Sequence, residues 1–193
     1  MFENLKRYKI ILASNSPRRK ELLAGLGLPF EVKVLPFVTE DYPADIPVCD
    51  IAEYIACEKA EAYKRVMLAD NLIITADTVV IAGDEVLGKP VDAADAHMML
   101  RKLSGRTHQV VTGVCLTTFE VQRHFSVTTD VTFKQLNDEE MAYYIEHYKP
   151  FDKAGAYGIQ EWIGYVGVTN LSGSYFNVMG LPVQRIYSEL SQF

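Results

Sequence analysis

Side chains that suit the chemistry of phosphate esters and anhydrides are concentrated in a few short stretches of this sequence. The stretch SNSPRR, residues 14–19, joins two serine hydroxyls to two adjacent arginines. Asp77 lies in the middle of an otherwise apolar run, and Lys59 falls among alanines. A carboxylate can orient or deprotonate an attacking water, while cationic and hydroxyl groups bind phosphate oxygens. These residue types therefore favour a site for a phosphorylated ligand.

The element expected to position SNSPRR is a strand followed by a loop and a helix. The apolar run KIIL predicts the strand, Ser16 is a good N-cap, and Pro17 suits the first helical position. The helix N-terminus, together with Ser14, Arg18 and Arg19, would hold an anion. The alternative is a capped helix with two solvated arginines. Because two cations in the first turn oppose the helix dipole, the sequence favours the bound anion.

Two further candidates occur in the loop and the helix that follow. Glu40 and Asp41 belong to an acidic, proline-rich loop, PFVTEDYPADIP, and such carboxylates either are solvated or hold a hard divalent cation. Asp50 is expected to cap a helix that runs to about Met67 and carries Lys59 on its apolar face. That lysine either extends to solvent along its stem or pairs with a negative partner such as a triphosphate.

Asp77 is expected in the middle of a buried central strand, NLIITADTVVIA. An acid in this position either accepts backbone hydrogen bonds at a bulge or serves at the floor of a cleft as metal ligand or general base. Residues 82–85 predict a hairpin turn whose return strand brings Lys89 of GKP back toward Asp77. Lys89 is therefore another candidate for contact with phosphate.

The remaining segments predict mainly scaffold. An amphipathic helix is followed by the runs THQVVTGVCLTTF and VQRHFSVTTDVTF, which predict an antiparallel hairpin, and Asn137 or Asp138 begins another helix. The glycine-rich stretch FDKAGAYGIQEWIGYVGV carries Gln160 and would let the backbone approach a ligand closely. Its alternative is a turn-rich connection to a strand over residues 165–169. An amphipathic helix closes the chain.

Composition excludes several classes of function. A chain of 193 residues with 49% hydrophobic content predicts one folded domain, residues 1–193. No apolar run reaches the roughly 20 residues that span a bilayer, and the N-terminus lacks a secretory signal, so a soluble, cytoplasmic protein without a membrane partner is expected. The three cysteines are expected to be reduced core residues. A net charge of −6 argues against a nucleic-acid partner.

The ordered set of motifs resembles the Maf family of nucleoside triphosphate pyrophosphatases. SNSPRR, a loop acid at Glu40, EKA around Lys59, ADTVV, GKP, LRKLSG and DKAGAYGIQ follow the family's order over almost the whole chain. The resemblance implies an α/β fold, in which helices flank a central mixed, twisted β-sheet and two lobes enclose a deep cleft, as in ITPase-like proteins. It also implies a homodimer that hydrolyses a nucleoside triphosphate between its α and β phosphates with a divalent cation, Mg²⁺ or Mn²⁺.

The resemblance assigns roles residue by residue. Asp77 matches the proton acceptor and, with Glu40, the metal ligands. The positions that set base specificity correspond to Arg18, Thr78 and Gln160, and those that contact phosphate correspond to Ser14, Arg19, Lys59 and Lys89.

The chain carries ADT together with AYGIQ, and in this it resembles the branch of the family that acts on dTTP and UTP. A glutamine amide offers a donor and an acceptor, so Gln160 can pair with the uracil or thymine edge, and Arg18 can donate to a carbonyl. Several alternatives remain open. The enzyme could clear non-canonical nucleotides or act on 7-methyl-GTP or another modified nucleotide. The protein could also be a generic phosphatase or a non-catalytic nucleotide-sensing regulator of cell division. After Gln160 the chain departs from many relatives, since EWIGY replaces smaller residues.

Overall fold

A mixed, twisted β-sheet flanked by helices is the framework of the molecule, as the sequence predicts. The computed structural model describes residues 3–36 and 40–193. The strands are β1 (Lys9–Leu12), β2 (Glu31–Val32), β3 (Asn71–Ala82), β4 (Glu85–Leu87), β5 (Thr107–Thr117), β6 (Gln122–Phe133) and β7 (Val168–Ser172). The helices are α1 (Pro17–Ala24), α2 (Ile51–Lys64), α3 (Ala93–Leu103), α4 (Asp138–Tyr148), α5 (Trp162–Gly167), α6 (Tyr175–Val178) and α7 (Val183–Leu190).

The sheet runs in the order β2-β1-β3-β5-β6-β7, and β4 pairs with β3 outside this path. Strand β1 lies parallel to both β2 and β3, whereas β4 is antiparallel to β3 and β7 is antiparallel to β6. Within the described residues, no helix has the length and apolar character that crossing a membrane requires.

The chain divides into two compact units. The first unit comprises residues 1–77, 112–127 and 180–193, and the second comprises residues 78–111 and 128–179. The boundary on β3 falls directly after Asp77. The single domain, the lobes and the cleft that the sequence suggested stay predictions.

In the first unit, the alanine-rich face of α2 packs on the sheet. Ala56 and Ala60 form a fully buried cluster with Cys115 of β5. The hydroxyl of Thr75, on β3, donates to the carbonyl oxygen of Ala56 over 2.7 Å. Small side chains therefore bring α2 close to the strands, and one buried hydrogen bond ties it to β3.

Gly113 sets how closely α2 approaches β5. A Cβ at this position would lie 2.2 Å from the backbone nitrogen of Glu53 and 2.3 Å from the carbonyl carbon of Ala52. Both neighbours are backbone atoms of α2, so they cannot rotate out of the way. The helix can occupy this place only because residue 113 has no side chain.

Local sequence signals predicted most element boundaries correctly. Ser16, Asp92 and Asn137 each accept an N-cap hydrogen bond at the start of a helix, and Ala82 pairs with Glu85 across the predicted hairpin. Three predictions were wrong. Helix α2 ends at Lys64, without a capping bond from the Asp50 side chain; the run from Phe30 yields a strand of two residues; and Cys49 is exposed. Residues 37–39 of the predicted acidic loop lie outside the described residues.

The strand expected over residues 165–169 was also wrong. Helix α5 occupies its first part, and β7 begins only at Val168. The backbone turns sharply here because Gly164 donates to the carbonyl of Glu161 over 2.9 Å, and a Cβ on Gly164 would lie 1.7 Å from the carbonyl oxygen of Ile159. A glycine that permits this contact can begin a helix where the apolar pattern alone indicates a strand.

Candidate functional site

Asp77 lies in the middle of β3, on the strand face that α2 covers. Side chains alternate along a strand, so Asp77 shares this face with Thr75, whose hydroxyl bonds to α2. The carboxylate is 12% exposed. Its Oδ1 accepts a hydrogen bond from the Nζ of Lys59, on α2, over 2.8 Å. The acid that interrupts the apolar run is therefore paired with a cation on the covering helix.

Lys59 joins two carboxylates. Its Nζ lies 2.8 Å from Asp77 Oδ1 and 2.8 Å from Glu40 Oε1. The lysine side chain is 13% exposed, whereas that of Glu40 is 48% exposed. Removing one partner of such a sheltered pair leaves the other charge poorly solvated, which makes the Asp77 contact the more costly one to break. Of the two alternatives that the sequence left open for Lys59, the structure supports pairing.

Tyr63, near the end of α2, anchors residues 33–35, which precede Glu40 in the sequence. The Tyr63 hydroxyl donates to the carbonyl oxygen of Lys33 over 2.8 Å and accepts from the backbone N–H of Leu35 over 3.0 Å. Burial raises the pKa of the Tyr63 phenol, so at neutral pH it keeps the proton that it donates. Helix α2 therefore supplies the lysine and also holds the chain at residues 33–35.

Arg19 braces the strand residue that precedes Asp77. Its Nε donates to the carbonyl of Gly180 and one terminal nitrogen donates to the carbonyl of Ala76, each over 2.8 Å. Burial lowers the pKa of the Arg19 guanidinium, and the nearby Asp77 carboxylate opposes this shift. Sequence reasoning expected a bound anion to offset a cation in the first helical turn. The chain itself supplies carbonyls and a carboxylate for that purpose.

Ser14 and Arg18 complete the group from SNSPRR. Ser14 is buried, and its hydroxyl oxygen accepts from the backbone N–H of Ser16 over 3.2 Å, which shapes the loop before α1. Arg18 is partly buried and lies close enough to Arg19 for its charge to lower the pKa of that guanidinium. The first unit thus gathers Ser14, Arg19, Lys59 and the two acids around the end of β1 and the middle of β3.

The second unit holds the other three predicted residues, Thr78, Lys89 and Gln160. Thr78 follows Asp77 on β3 but points to the opposite face, which it shares with Val80. The glycine-rich segment lies against this face, since a Cβ on Gly155, whose φ is +67°, would lie 3.0 Å from Val80. The Gly155 N–H donates to the carbonyl of Gly88 over 3.0 Å. The structure therefore joins the backbone of GKP to that of the Gln160 segment.

Gln160 carries a buried acceptor. Its side-chain Oε1 is inaccessible to water and has no hydrogen-bond partner within residues 3–36 and 40–193. A Cβ on Gly158 would lie 3.1 Å from the amide nitrogen of Gln160, so the amide folds over this glycine. Leaving a buried carbonyl oxygen unpaired costs about 1–3 kcal/mol. A ligand N–H that reached this oxygen would recover that energy.

The two carboxylates fit a divalent cation of the kind the sequence suggested. The described residues contain no group of three or more His, Cys, Asp and Glu side chains placed to hold a metal ion. Glu40 and Asp77 nevertheless direct hard oxygen atoms at one shared cation, the Lys59 ammonium. Magnesium is commonly bound by one or two carboxylates together with substrate phosphates, so this donor set suits it.

Sequence reasoning missed the residues that hold the site in place. Thr75, Tyr63 and Gly113 all position α2 or the chain beside it, and none was singled out. Gly113 had the clearest signal, because a glycine inside a β-branched run, VVTGVCL, indicates a close backbone approach. Thr75 and Tyr63 are ordinary strand and helix residues, and only their tertiary partners show what they do.

The Asp77 carboxylate is paired with Lys59 and lies near Arg19, so it can orient a water beside a phosphate that the cations bind, as an enzyme acting on a phosphorylated substrate requires. Residues 9–193 match the model of a family described as Maf-like protein, and the chain belongs to this Maf family.

Relatives match over the full length of the chain. A protein of Phocaeicola vulgatus named dTTP/UTP pyrophosphatase is 64% identical over 192 residues, covering 100% of both chains. Proteins of the same name from Bacteroides fragilis and Flavobacterium johnsoniae are 58% and 47% identical, covering 100% and 98% of this chain and 100% and 97% of their own. The solved structure of the Staphylococcus aureus Ham1 protein covers 65% of this chain and 71% of its own at 17% identity, with a TM-score of 0.46.

Proposed function

We propose that this protein hydrolyses dTTP and UTP to the nucleoside monophosphate and pyrophosphate. The observation that carries the proposal is the position of the Lys59 ammonium. Its Nζ lies 2.8 Å from Asp77 Oδ1, on the face of β3 that α2 covers, and 2.8 Å from Glu40 Oε1. A general base, a cation that orients it and a second acid are the groups that phosphoanhydride hydrolysis needs. The relatives named dTTP/UTP pyrophosphatase, up to 64% identical over the whole chain, support the substrate.

Asp77 acts as the proton acceptor in this mechanism. A water oxygen attacks the α-phosphorus, its proton passes to the Asp77 carboxylate, and the bond from the α-phosphorus to the bridging oxygen breaks. Pyrophosphate leaves with the electron pair of that bond. Lys59 holds Oδ1 of Asp77 in place, so the carboxylate does not need to reorganise when the proton moves.

Negative charge that develops on the phosphate oxygens is stabilised by the cations of SNSPRR and by Lys59 and Lys89. Charge-assisted hydrogen bonds of this kind are roughly twice as strong as neutral ones. A divalent cation, Mg²⁺ or Mn²⁺, would be held by Glu40 and Asp77, where it would offset phosphate charge and make a bound water more acidic. The two carboxylate oxygens that already share one ammonium support this assignment.

Base selection is assigned to Gln160, with Thr78 and Arg18. The Oε1 of Gln160 is assigned as the acceptor for the N3–H of uracil or thymine, which the two bases share. This oxygen is buried and has no hydrogen-bond partner in the described residues, so the base must displace the atoms that cover it. Cytosine carries an unprotonated N3 instead, so it would leave the glutamine oxygen unpaired and face it with a second acceptor. UTP and dTTP should therefore both be used, and CTP should be disfavoured.

The test is a panel of UTP, dTTP, CTP, GTP and 7-methyl-GTP with Mg²⁺ or Mn²⁺, in which pyrophosphate and orthophosphate are measured separately. Pyrophosphate from UTP and dTTP is the expected product. The matched variant Asp77→Asn keeps the shape of the side chain and loses its basicity, so turnover should fall by roughly 100-fold or more while the melting temperature shows a folded protein. Orthophosphate alone would indicate a generic phosphatase, and a preference for 7-methyl-GTP would move the chain to another substrate. Binding without turnover would indicate a nucleotide sensor.

Two further parts of the proposal concern the state of the protein in the cell. We propose a cytoplasmic homodimer that binds nucleotides rather than nucleic acids or membranes. Exposed aromatic side chains in the second unit, Tyr165 at 79% and Phe176 at 47%, support self-association. Sedimentation of the purified protein would distinguish a dimer from a monomer.

A further inference from the structure

The segment that carries Gln160 encloses a buried ammonium. Lys153 is 7% exposed, and its Nζ lies 2.7 Å from Asp152 Oδ1 and 3.2 Å from Glu161 Oε1. The side chain of Glu161 is 19% exposed, whereas that of Asp152 is 59% exposed. A buried cation needs a sheltered anion, so Glu161 is the partner that holds Lys153 inside the unit. This ion pair closes the nine-residue segment 153–161.

Tyr144, on α4, locks the same carboxylate from the other side. Its ring is fully buried, and its hydroxyl donates a hydrogen bond to Glu161 Oε2. The same hydroxyl oxygen accepts from the backbone N–H of Gly158 over 3.0 Å. Burial, followed by the hydrogen bond to Glu161, raises the pKa of Tyr144, so the phenol retains the proton that it donates. One hydroxyl therefore ties the backbone before Gln160 to the side chain after it.

Packing leaves little freedom for the residue between these two anchors. A Cβ on Gly158 would lie 2.9 Å from the carboxyl carbon of Glu161 and 3.1 Å from the amide nitrogen of Gln160. The carboxylate and the amide therefore lie against the same glycine. On the following turn, Gly164 lies directly over the carbonyl of Ile159. The backbone on both sides of Gln160 is fixed by contacts of this kind.

We propose that Glu161, held by Tyr144 and Lys153, is a positioning residue that fixes the Gln160 amide for base discrimination. The inference rests on the proposed function, because it refines how Gln160 recognises uracil and thymine. Discrimination by an amide depends on its orientation, since a displaced or rotated amide presents a donor where an acceptor is needed.

The test compares Tyr144→Phe with Tyr148→Phe. The first variant removes the hydroxyl that joins Glu161 to Gly158 and keeps the ring. The second removes a hydroxyl from the neighbouring ring, which stacks on Tyr144 with centroids 5.1 Å apart. Specificity constants for UTP and CTP give the readout. The UTP:CTP ratio should fall about tenfold in Tyr144→Phe, the loss expected of one charge-assisted hydrogen bond, and should stay at the wild-type value in Tyr148→Phe.

Glu161 provides a graded second variant. Glu161→Gln keeps an acceptor for Tyr144 and loses the charge that Lys153 needs, whereas Glu161→Leu loses both. The UTP:CTP ratio should therefore fall less in Glu161→Gln than in Glu161→Leu. A uniform loss of activity toward UTP and CTP in the folded variants would overturn the inference, because it would indicate general destabilisation. Melting temperatures identify any variant that does not fold, and Glu161→Gln then decides.

A substrate-free measurement separates this inference from the proposed function. The side-chain amide resonance of Gln160 and the hydrogen exchange of the Gly158 N–H should both change in Tyr144→Phe and remain unchanged in Tyr148→Phe. If the wild type hydrolyses neither UTP nor dTTP, the proposed function fails, and these two observables still decide whether Tyr144 and Glu161 fix Gln160. An unchanged Gln160 resonance in Tyr144→Phe refutes the positioning role.

Discussion

Gly113→Ala is the substitution that most directly tests how the fold positions the catalytic group. The added Cβ would lie 2.2 Å from the nitrogen of Glu53 and 2.3 Å from the carbonyl carbon of Ala52. Non-bonded carbon atoms prefer separations of about 3.5–4.0 Å, so α2 must retreat by roughly 1 Å or more. Both contacts are to helix backbone, and a change of rotamer cannot relieve them.

The retreat of α2 carries Lys59 away from Asp77. Lys59 follows Glu53 by six residues, which is about 9 Å along a helix axis, so it moves with the same rigid element. Its 2.8 Å contact with Asp77 then stretches toward the limit of a hydrogen bond. A displacement of about 1 Å can cost about 100-fold in rate, and we expect this loss in kcat/KM for UTP. Overpacking should also lower the free energy of unfolding by about 1–3 kcal/mol.

The assay pairs UTP kinetics with urea unfolding, and Gly83→Ala is the matched control. Gly83 lies in the β3–β4 turn with φ +65°, and nothing lies within 4 Å of the added Cβ. This control should lose about 1 kcal/mol through backbone strain and keep near-normal kcat/KM. If Gly113→Ala retains kcat/KM within threefold of the wild type, the close packing of α2 on β5 does not position Lys59. Equal losses of activity in the two variants would attribute the effect to stability alone.

Two more predictions concern Glu40, which is paired with Lys59, and His108, which is buried. Glu40→Gln should raise the Mg²⁺ concentration for half-maximal activity by about tenfold, because an amide oxygen binds a hard cation less well than a carboxylate. The neighbouring Asp41→Asn should leave this concentration unchanged. The same shift in both variants would contradict the assignment of Glu40 to the metal. Burial lowers the pKa of His108 to about 4, whereas the unfolded chain binds this proton near pH 6.5, so the free energy of unfolding should fall by about 3 kcal/mol as the pH drops from about 6.5 to 4. Urea unfolding at several pH values should show this pH dependence of the free energy of unfolding in the wild type and a weaker one in His108→Gln. Identical pH dependences in the two proteins would show that His108 is not the cause.

Local chemistry in the sequence was sufficient to predict the elements that carry the site. Ser16 and Pro17 placed the start of α1, and the long apolar run around Asp77 placed β3. These signals work because capping and strand burial depend on residues within a few positions of each other. The order of the family motifs then assigned roles to these positions.

Tertiary partners could not be obtained in the same way. Lys59 is 18 residues from Asp77 and 19 from Glu40, and nothing in its local sequence distinguishes an internal carboxylate from an external phosphate as the partner. The same holds for Arg19, whose carbonyl partners on Ala76 and Gly180 are 57 and 161 residues away. Sequence reasoning expected an anion beside the arginines of the first helical turn, and for Lys59 it left open a solvated stem or a negative partner. In both cases the partner that it named was the ligand.

Internal pairing and phosphate binding by Lys59 are compatible, because an ammonium carries three donors. In the described part of the chain, two of these donors are directed at Asp77 and Glu40. A phosphate oxygen can therefore take the third while Asp77 stays paired, and the half-exposed Glu40 can exchange its contact at little cost. One side chain then links the position of the base to the position of the phosphate. This linkage explains why a lysine is placed on the apolar face of α2, where a solvated cation would gain nothing.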